Sequence, residues 1–577
     1  MEWPDLHAYE RVALRVTAGL GLTALLLSLA ALTGWFAHAT AALSVLTAIG
    51  GTLAVRQARR AGRAPASHPQ PMAAWLRTTV AAVFVCAVLA CLGAIAPVTD
   101  DDALAYVIPI ARHIAEAGTV RVWTDQARSM WPQSQQVLLA YLLQRGGDRL
   151  GALTAFEWLL CVGVVSALAR RVCVRSEHIG AALIIGLGAP VLGFQVSSAK
   201  EDLLLLAASA ATAFCLAGNG EMVEFAAAGL FAGIAAGAKY PGAAIVAAAV
   251  AWPLISRRER SLRGAGIVAV CAAASGGLWY GLNLWRYGNP VAPFAGGARG
   301  TPLDAAVIRE FMDGYGGGRG AVAFVLAPIR VFIESSQFGG RANLYNPLVY
   351  AGLGGLLVSS TRRRNGPLFF MAAVLYVGWF LSVQNARLLL PAAVLLAPSA
   401  ADRLVPLVER RKLLRVLAVG ATALSLGVVA AVGVVRAVRY VRDPQGFLER
   451  ETQNYADVQW MNRNLDSRRD RVASDHKVLA YLDVPWIVLG PTYQIEISEA
   501  ELNDSGRFLE ACRRQGITHL FGGADSFPGL RVHLRAVYQN PASRLGGVRF
   551  FREPPTEATA VFEIVSVPGA SGSSAAR

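Results

Sequence analysis

The stretch Ala96-Pro97-Val98-Thr99-Asp100-Asp101-Asp102-Ala103-Leu104-Ala105-Tyr106 sets three consecutive carboxylates at the end of a long apolar run, residues 76–97. After it, Leu104, Val107, Ile108, Ala111 and Ile114 recur at helical spacing, which predicts a short amphipathic helix reaching Gly118. An Asp ahead of a helix is a common cap, because its side-chain oxygen accepts a free backbone N–H. Capping accounts for one carboxylate, not for three where an apolar run leaves a bilayer.

The 577 residues are 54% hydrophobic and only 16% charged, with a mean hydropathy of +0.42. Soluble domains carry about 25% charged residues, so the composition indicates a polytopic membrane protein that is mainly α. The net charge of +15 is mostly arginine between apolar runs. That pattern sets membrane orientation and implies no nucleic-acid partner. The seven cysteines show neither metal spacing nor a disulfide framework, and only Cys512 lies clearly away from apolar spans. Residues 1–15 carry acids, and no small-residue cleavage site follows the first apolar run, so an uncleaved first span is expected.

Windows of about 20 apolar residues place spans at 16–35, 37–55, 76–97, 151–169, 179–196, 202–217, 224–238, 241–255, 265–285, 347–360, 367–383, 388–401 and 413–435, about 13 transmembrane helices. Arginine clusters at Arg56 to Arg63, Arg170 to Arg175, Arg257 to Arg263, Arg362 to Arg364 and Arg410 to Lys412 fall on one side if the N-terminus is cytoplasmic. The turn 218–224 lies on that side too, yet carries acids and no base. Residues 1–75 then form two additional N-terminal helices and a cytoplasmic basic loop. Residues 76–435 form a transmembrane core with extracytoplasmic loops 98–150 and 286–346. Residues 436–567 form a soluble extracytoplasmic α/β domain, and 568–577 a tail disordered by composition. In the soluble part, strands are expected at 477–481, 486–489, 518–522, 548–551 and 560–565, with helices at 458–464 and 504–515. The glycine-rich run 314–320 lacks the Lys-Ser/Thr of a P-loop.

Charges at span ends are functional candidates, because each costs roughly 2.5–3.5 kcal/mol on insertion scales. Lys200-Glu201-Asp202, Lys239-Tyr240-Pro241, Arg286 and Gln384-Asn385-Ala386-Arg387 stand there. The chain holds four lysines among 54 basic residues, and Lys200 and Lys239 are two of them. A lysine at a membrane turn in an arginine-rich chain supplies a compact point charge; alternatively it anchors at the head groups with its stem along lipid. Asp102, Asp202, Lys239 and Arg387 all fall on the extracytoplasmic side. Cations there can bind a lipid-linked phosphate, and a carboxylate can take a proton from an attacking hydroxyl.

These residues resemble motifs of the GT-C superfamily of polyprenyl-phosphate-sugar glycosyltransferases, which includes protein O-mannosyltransferases and the aminoarabinose transferase. The resemblance rests on Asp102-Ala103-Leu104-Ala105-Tyr106 with the amphipathic helix after it, and on Asp202 opening a later span. It includes Gly229, Gly233, Gly237 and Lys239, then Trp279-Tyr280-Gly281-Leu282-Asn283 with Gly288-Asn289-Pro290, and Arg387-Leu388-Leu389-Leu390-Pro391. In the soluble part it includes Tyr455, Trp460-Met461-Asn462 and Gly516-Ile517-Thr518-His519-Leu520. A Lys-Pro-Pro motif is absent, with Met130-Trp131-Pro132 near that place.

The resemblance implies a GT-C-like helix bundle with a small α/β domain, in a bacterial plasma (inner) membrane. It implies inverting transfer of a sugar from a polyprenyl-phosphate donor to an extracytoplasmic glycan, lipid or protein acceptor. Asp102 would be the general base, and Asp202, the second catalytic carboxylate, would orient the acceptor or assist binding. Lys239 and Arg387 would hold the leaving phosphate, and Asp101, Tyr106 and Tyr240 would contact substrate. Carboxylates there permit an Mg or Mn ion, without a dedicated cage. The rival readings are a transporter or lipid flippase, and a catalytically inactive scaffold of the same fold.

Overall fold

The computed structural model describes residues 6–45, 74–256, 261–339, 347–357, 365–490, 492–544 and 556–565. The loop 56–63, Arg257, Arg258, Arg260, Arg362 to Arg364, the strand expected at 548–551 and the tail 568–577 lie outside them.

Among the described residues, six helices are long and apolar enough to cross a membrane: Ala8–Leu32, Thr78–Ile95, Gly151–Val172, Ser261–Tyr287, Ala386–Arg410 and Lys412–Arg442. Seven shorter apolar helices join them: Phe36–Val45, His178–Leu187, Asp202–Leu216, Met222–Ala238, Pro241–Ile255, Ala321–Ile333 and Gly366–Leu381. The protein is a membrane protein, built as a helix bundle with a small C-terminal sheet. All 15 residues of Asp202–Leu216 are buried. That helix is apolar on every side, which is the pattern of a central helix.

Two expected spans take other forms. The 179–196 run is two helices, His178–Leu187 and Pro190–Gln195, with Ala189 extended between them. Pro190 disfavours helical geometry in the residue before it, and the chain breaks there. The 347–360 run contains a 3-10 helix, Pro347–Leu357, in place of an α-helical span. The acidic turn 218–224 receives its base from a neighbouring helix, since Arg171 pairs with Glu224. Nearby, Arg170 holds the fully buried Glu10 at 2.8 Å.

The last long helix, Lys412–Arg442, continues past residue 435 into Pro444–Glu451 and Tyr455–Asn464. The sheet comprises β1 (Val472–Ser474), β2 (Trp486–Val488), β3 (His519–Gly523), β4 (Leu534–Arg544) and β5 (Thr556–Ile564), in the order β2-β1-β3-β5-β4. Strands β2, β1 and β3 are parallel, while β5 runs antiparallel to β3 and β4. The helix Ser505–Arg514 follows Asp504, whose side chain accepts from the Arg507 N–H at 2.9 Å. The layered α/β arrangement matches the expectation, but two strands do not. The strand expected at 477–481 is irregular backbone, and Val472–Ser474 takes its place in the sheet. Residues 477–481 leave the sheet because their side chains and carbonyls dock on the membrane-side loops. The β4 strand, mostly exposed and polar, carries too little apolar alternation to announce itself.

The Met222–Ala238 and Ser261–Tyr287 helices approach closely. Gly229 faces Val268 and Cys271, and a Cβ on Gly276 would collide with the Gly233 backbone. Small residues let apolar helices associate where lipid offers no hydrophobic drive. Gly276→Leu should therefore destabilise by about 1–3 kcal/mol, the usual cost of overpacking. A lowered melting temperature in detergent checks this, with Gly281→Leu, where no neighbour lies within 4 Å of the added Cβ, as the tolerated control.

Candidate active site

The three consecutive carboxylates have separate duties. Asp100 accepts from the Ala103 N–H at 3.0 Å and from the buried Lys200 ammonium at 2.7 Å, so it both caps and neutralises. Asp101 is half-buried and does not line the cavity described below. Asp102 precedes a π-helical turn, Ala103–Val107, which is succeeded by the helix Ile108–Ala117. Such single π turns concentrate at functional sites, because they re-aim side chains within a helix. Here the turn carries the buried Tyr106 ring.

Arg387 reaches Asp102 Oδ2 at 2.6 Å. The local structure presents it: Asn385 caps the Ala386–Leu389 turn through the Arg387 N–H at 3.2 Å, and Trp379 Nε1 donates to the Asn385 carbonyl at 2.8 Å. Lys239 ends the Met222–Ala238 helix and lies buried, 2.9 Å from both Asp202 Oδ1 and Glu201 Oε1. Neither Lys200 nor Lys239 reaches outward as a head-group anchor; each is spent on carboxylates inside the protein. Asp102, Asp202, Lys239 and Arg387 thus gather as the sequence places them, though Asp202 stands behind Lys239 and does not line the cavity.

The cavity has a volume of about 340 Å³. Asp102, Glu201, Lys239, Arg387 and Arg128 give it a charged part, while Ala244, Leu375, Gly378 and Leu388 give it an apolar flank. Tyr106 and Tyr240 line it as well. The Tyr240 hydroxyl donates to the Ala292 carbonyl at 2.6 Å and receives the Asn283 amide at 2.9 Å. Asn283 also donates to the Met130 carbonyl at 2.8 Å, tying the Ser261–Tyr287 helix to the 98–150 segment. The glycine-rich run is folded against the same region: Gln384 donates to the Gly318 carbonyl at 3.0 Å, and Tyr315 lines the cavity.

Two further cations were not singled out from the sequence. The buried Arg128 guanidinium lies 4.1 Å from the Tyr493 ring, 4.6 Å from Tyr106 and 5.1 Å from Trp131. It has no ion pair among the described residues, and its Nε has no hydrogen-bond partner there. As one of many arginines, it carried no distinguishing signal. Lys477 lies 3.6 Å from Asp102 Oδ1. Lysine scarcity could have marked it, being one of only four in the chain. Burial alone would raise the Asp102 carboxyl, but Arg387, Lys477, Lys200 and Arg128 together hold it well below the usual carboxylate range.

A protein-family profile, described as the DUF1420 N-terminal domain, matches residues 74–222. No curated protein matches the sequence. Among solved structures, ArnT from Cupriavidus metallidurans bound to undecaprenyl phosphate superposes with a TM-score of 0.54 at 14% identity, over 85% of this chain and 98% of that one. The chain has the GT-C fold. The Archaeoglobus fulgidus oligosaccharyltransferase in complex with zinc and sulfate gives a TM-score of 0.50 at 13% identity, over 77% of this chain and 68% of that one. At these identities the GT-C likeness is one of fold. As for a metal, no group of three His, Cys, Asp or Glu side chains among the described residues is arranged to hold one. The site carboxylates are instead occupied by the protein's own cations.

Removing one partner of a buried ion pair costs about 3–5 kcal/mol. Asp100→Ala strands Lys200, which is 3% exposed, and should lower the melting temperature of the detergent-solubilised protein by several degrees. Asp100→Asn keeps the capping oxygen and should fall between Ala and wild type.

Proposed function

We propose that the protein is a membrane glycosyltransferase that moves a sugar from a polyprenyl-phosphate donor to an acceptor outside the cytoplasm. The observation that carries this reading is the cavity itself, which joins an apolar flank to a cluster of cations around a carboxylate. An isoprenoid chain suits the flank, and a phosphate suits the cations. Sugar transfer and the polyprenyl ligand belong to the structural neighbours; the chemistry of these residues brings them to this chain. The arginine clusters favour a cytoplasmic N-terminus with the sheet outside, and the family resemblance favours a bacterial inner membrane.

In the reaction, the acceptor hydroxyl oxygen attacks the anomeric carbon while the bond from that carbon to the phosphate oxygen breaks. The hydroxyl proton passes to Asp102, polyprenyl phosphate departs, and a single displacement inverts the centre. A carboxylate paired to Arg387 is a weak base, because efficient bases titrate near the working pH. The incoming phosphate competes for Arg387 and so restores basicity to Asp102. Asp202 and Glu201 keep Lys239 charged and aimed, and Asp202 acts through Lys239. Asp101 contacts the acceptor from outside the cavity, and Tyr106 and Tyr240 shape its wall. Arg128, which has no ion pair among the described residues, is the cation most available to the donor phosphate.

A positioned base contributes roughly 10²–10⁴-fold. Asp102→Asn, which retains shape, should give a folded protein whose transfer from a polyprenyl-phosphate sugar falls by about two orders of magnitude or more. Near-normal transfer would remove Asp102 from the mechanism. Hydrogen bonds to charged groups contribute about 1.5–3 kcal/mol, so Arg128→Met should weaken polyprenyl-phosphate binding by roughly ten- to a hundredfold. Calorimetry in nanodiscs measures this; full affinity in Arg128→Met would return the phosphate to Lys239 and Arg387.

A further inference from the structure

Residues 475–490 and 492–497 of the C-terminal part reach back to the membrane-side loops at several points. The Tyr481 hydroxyl donates to the Val98 carbonyl at 2.7 Å, and Arg112 donates to the Ala480 carbonyl. Val478 and Ala480 are buried in the same apolar core as the membrane helices. The Ala127 N–H donates to the Tyr493 carbonyl at 2.7 Å, and the Ile495 N–H to the Thr124 carbonyl at 2.8 Å. Between these anchors the loop from β1 to β2 delivers Lys477, while the Tyr493 ring covers the Arg128 guanidinium at 4.1 Å. Arg387 lies on Asp102 Oδ2 and Lys477 on Oδ1, so the carboxylate is held at both oxygens, from two separate layers of the protein.

Base usage supports a specific need for this residue. Of the four lysines in the chain, Lys200, Lys239 and Lys477 all stand in this site, and Lys412 alone lies elsewhere. Other basic positions use arginine, whose planar fork demands a fixed geometry; an ammonium exerts its charge without one.

We propose that Lys477 is a positioning residue of the transfer site, which fixes the Asp102 carboxylate through its second oxygen and makes the C-terminal sheet a working part of the catalytic centre. It rests on the reading of the cavity as a transfer site. When a donor phosphate draws Arg387 away, Lys477 remains the cation on Asp102. It keeps the carboxylate ionised and oriented toward the acceptor hydroxyl. The other groups facing Asp102 are Lys200, Arg128 and Tyr106. Lys477 is 35% exposed on its side chain and 3.6 Å from its partner. A pair so exposed contributes about 0–1 kcal/mol to stability, so its loss should leave the fold intact.

The test uses the full chain in nanodiscs. Lys477→Met should melt near wild type yet transfer about tenfold more slowly, because the lost orientation of the carboxylate outweighs its gain in basicity. With one cation gone, the Asp102 carboxyl rises, so the acid limb of the rate profile should move to higher pH. Lys477→Arg should recover only part of the rate, because a planar fork does not replace a compact point charge. A Lys477→Met protein with wild-type rate and wild-type pH profile overturns the proposal. A second measurement is independent of activity: acetylation of lysines by acetic anhydride, mapped by mass spectrometry with Lys412 as internal reference. Lys477 should acetylate several-fold faster in Asp102→Asn than in wild type, because its ammonium loses the stronger of the two carboxylates, Asp102 and Asp101, that favour its protonated form against burial and Arg128, with Tyr493 beside it. Equal rates overturn the link. If wild type transfers no sugar from any polyprenyl-phosphate donor, the functional reading fails, while the labelling still decides whether Lys477 and Asp102 are coupled.

Discussion

Charge buried beside lipid has to be neutralised where it stands, and the outer end of this bundle is organised by that requirement. Lys200 meets Asp100, Lys239 meets Glu201 and Asp202, and Arg387 meets Asp102. Each pair joins segments far apart in sequence. An unpaired ion in such surroundings costs several kcal/mol, so the pairs fix the relative placement of the 98–150 segment, the central helix and the Arg387 turn. The apolar contacts that build the rest of the bundle carry no comparable direction. Leucine and alanine faces can slide by a turn with modest loss, whereas a displaced carboxylate leaves a cation stranded.

The aromatic residues do a different job from the charges. Tyr106, Trp131 and Tyr493 surround Arg128, and Tyr240 fastens two loops through its hydroxyl. Rings hold a guanidinium by their negative faces without neutralising it. Arg128 therefore keeps its charge for a ligand while being held in place, which a carboxylate partner would prevent. This separates the cations by what surrounds them: Lys200, Lys239 and Arg387 are paired with acids, while Arg128 is sheathed in rings.

That distinction governs what is legible in the sequence. The apolar runs and their ends are legible because a run of about 20 apolar residues matches the thickness of a bilayer core. Asp102, Asp202, Lys239 and Arg387 stand out because a charge against an apolar background is conspicuous, and sidedness alone puts them on one face. Arg128 lies in a polar loop among many arginines, so only its contacts reveal it. Lys477 belongs to a stretch whose alternation resembles a strand; its departure from the sheet depends on Val98, Arg112 and the membrane core, which no local pattern encodes. The short β1 is hidden for the same reason, since three residues become a strand only when β2 and β3 flank them.

If the cavity is the transfer site proposed above, the arrangement also bears on the order in which substrates can work. Before any donor arrives, Arg387 is engaged at 2.6 Å and Asp102 is held well below the ordinary carboxylate range. In that state the carboxylate is a poor acceptor of protons, and a hydroxyl entering first would not be activated. A phosphate entering first competes with Asp102 for the guanidinium. The same event that anchors the leaving group thus releases one oxygen of the base, while Lys477 retains the other. Because a ligand shifts an equilibrium only by its differential interaction with the two states, the phosphate must bind better to the unpaired Arg387 than to the paired one. Coulomb attraction ensures this, since a guanidinium already sharing its charge with a carboxylate has less to offer an anion. On the proposed reading, electrostatics ties activation of the acceptor to the presence of the donor.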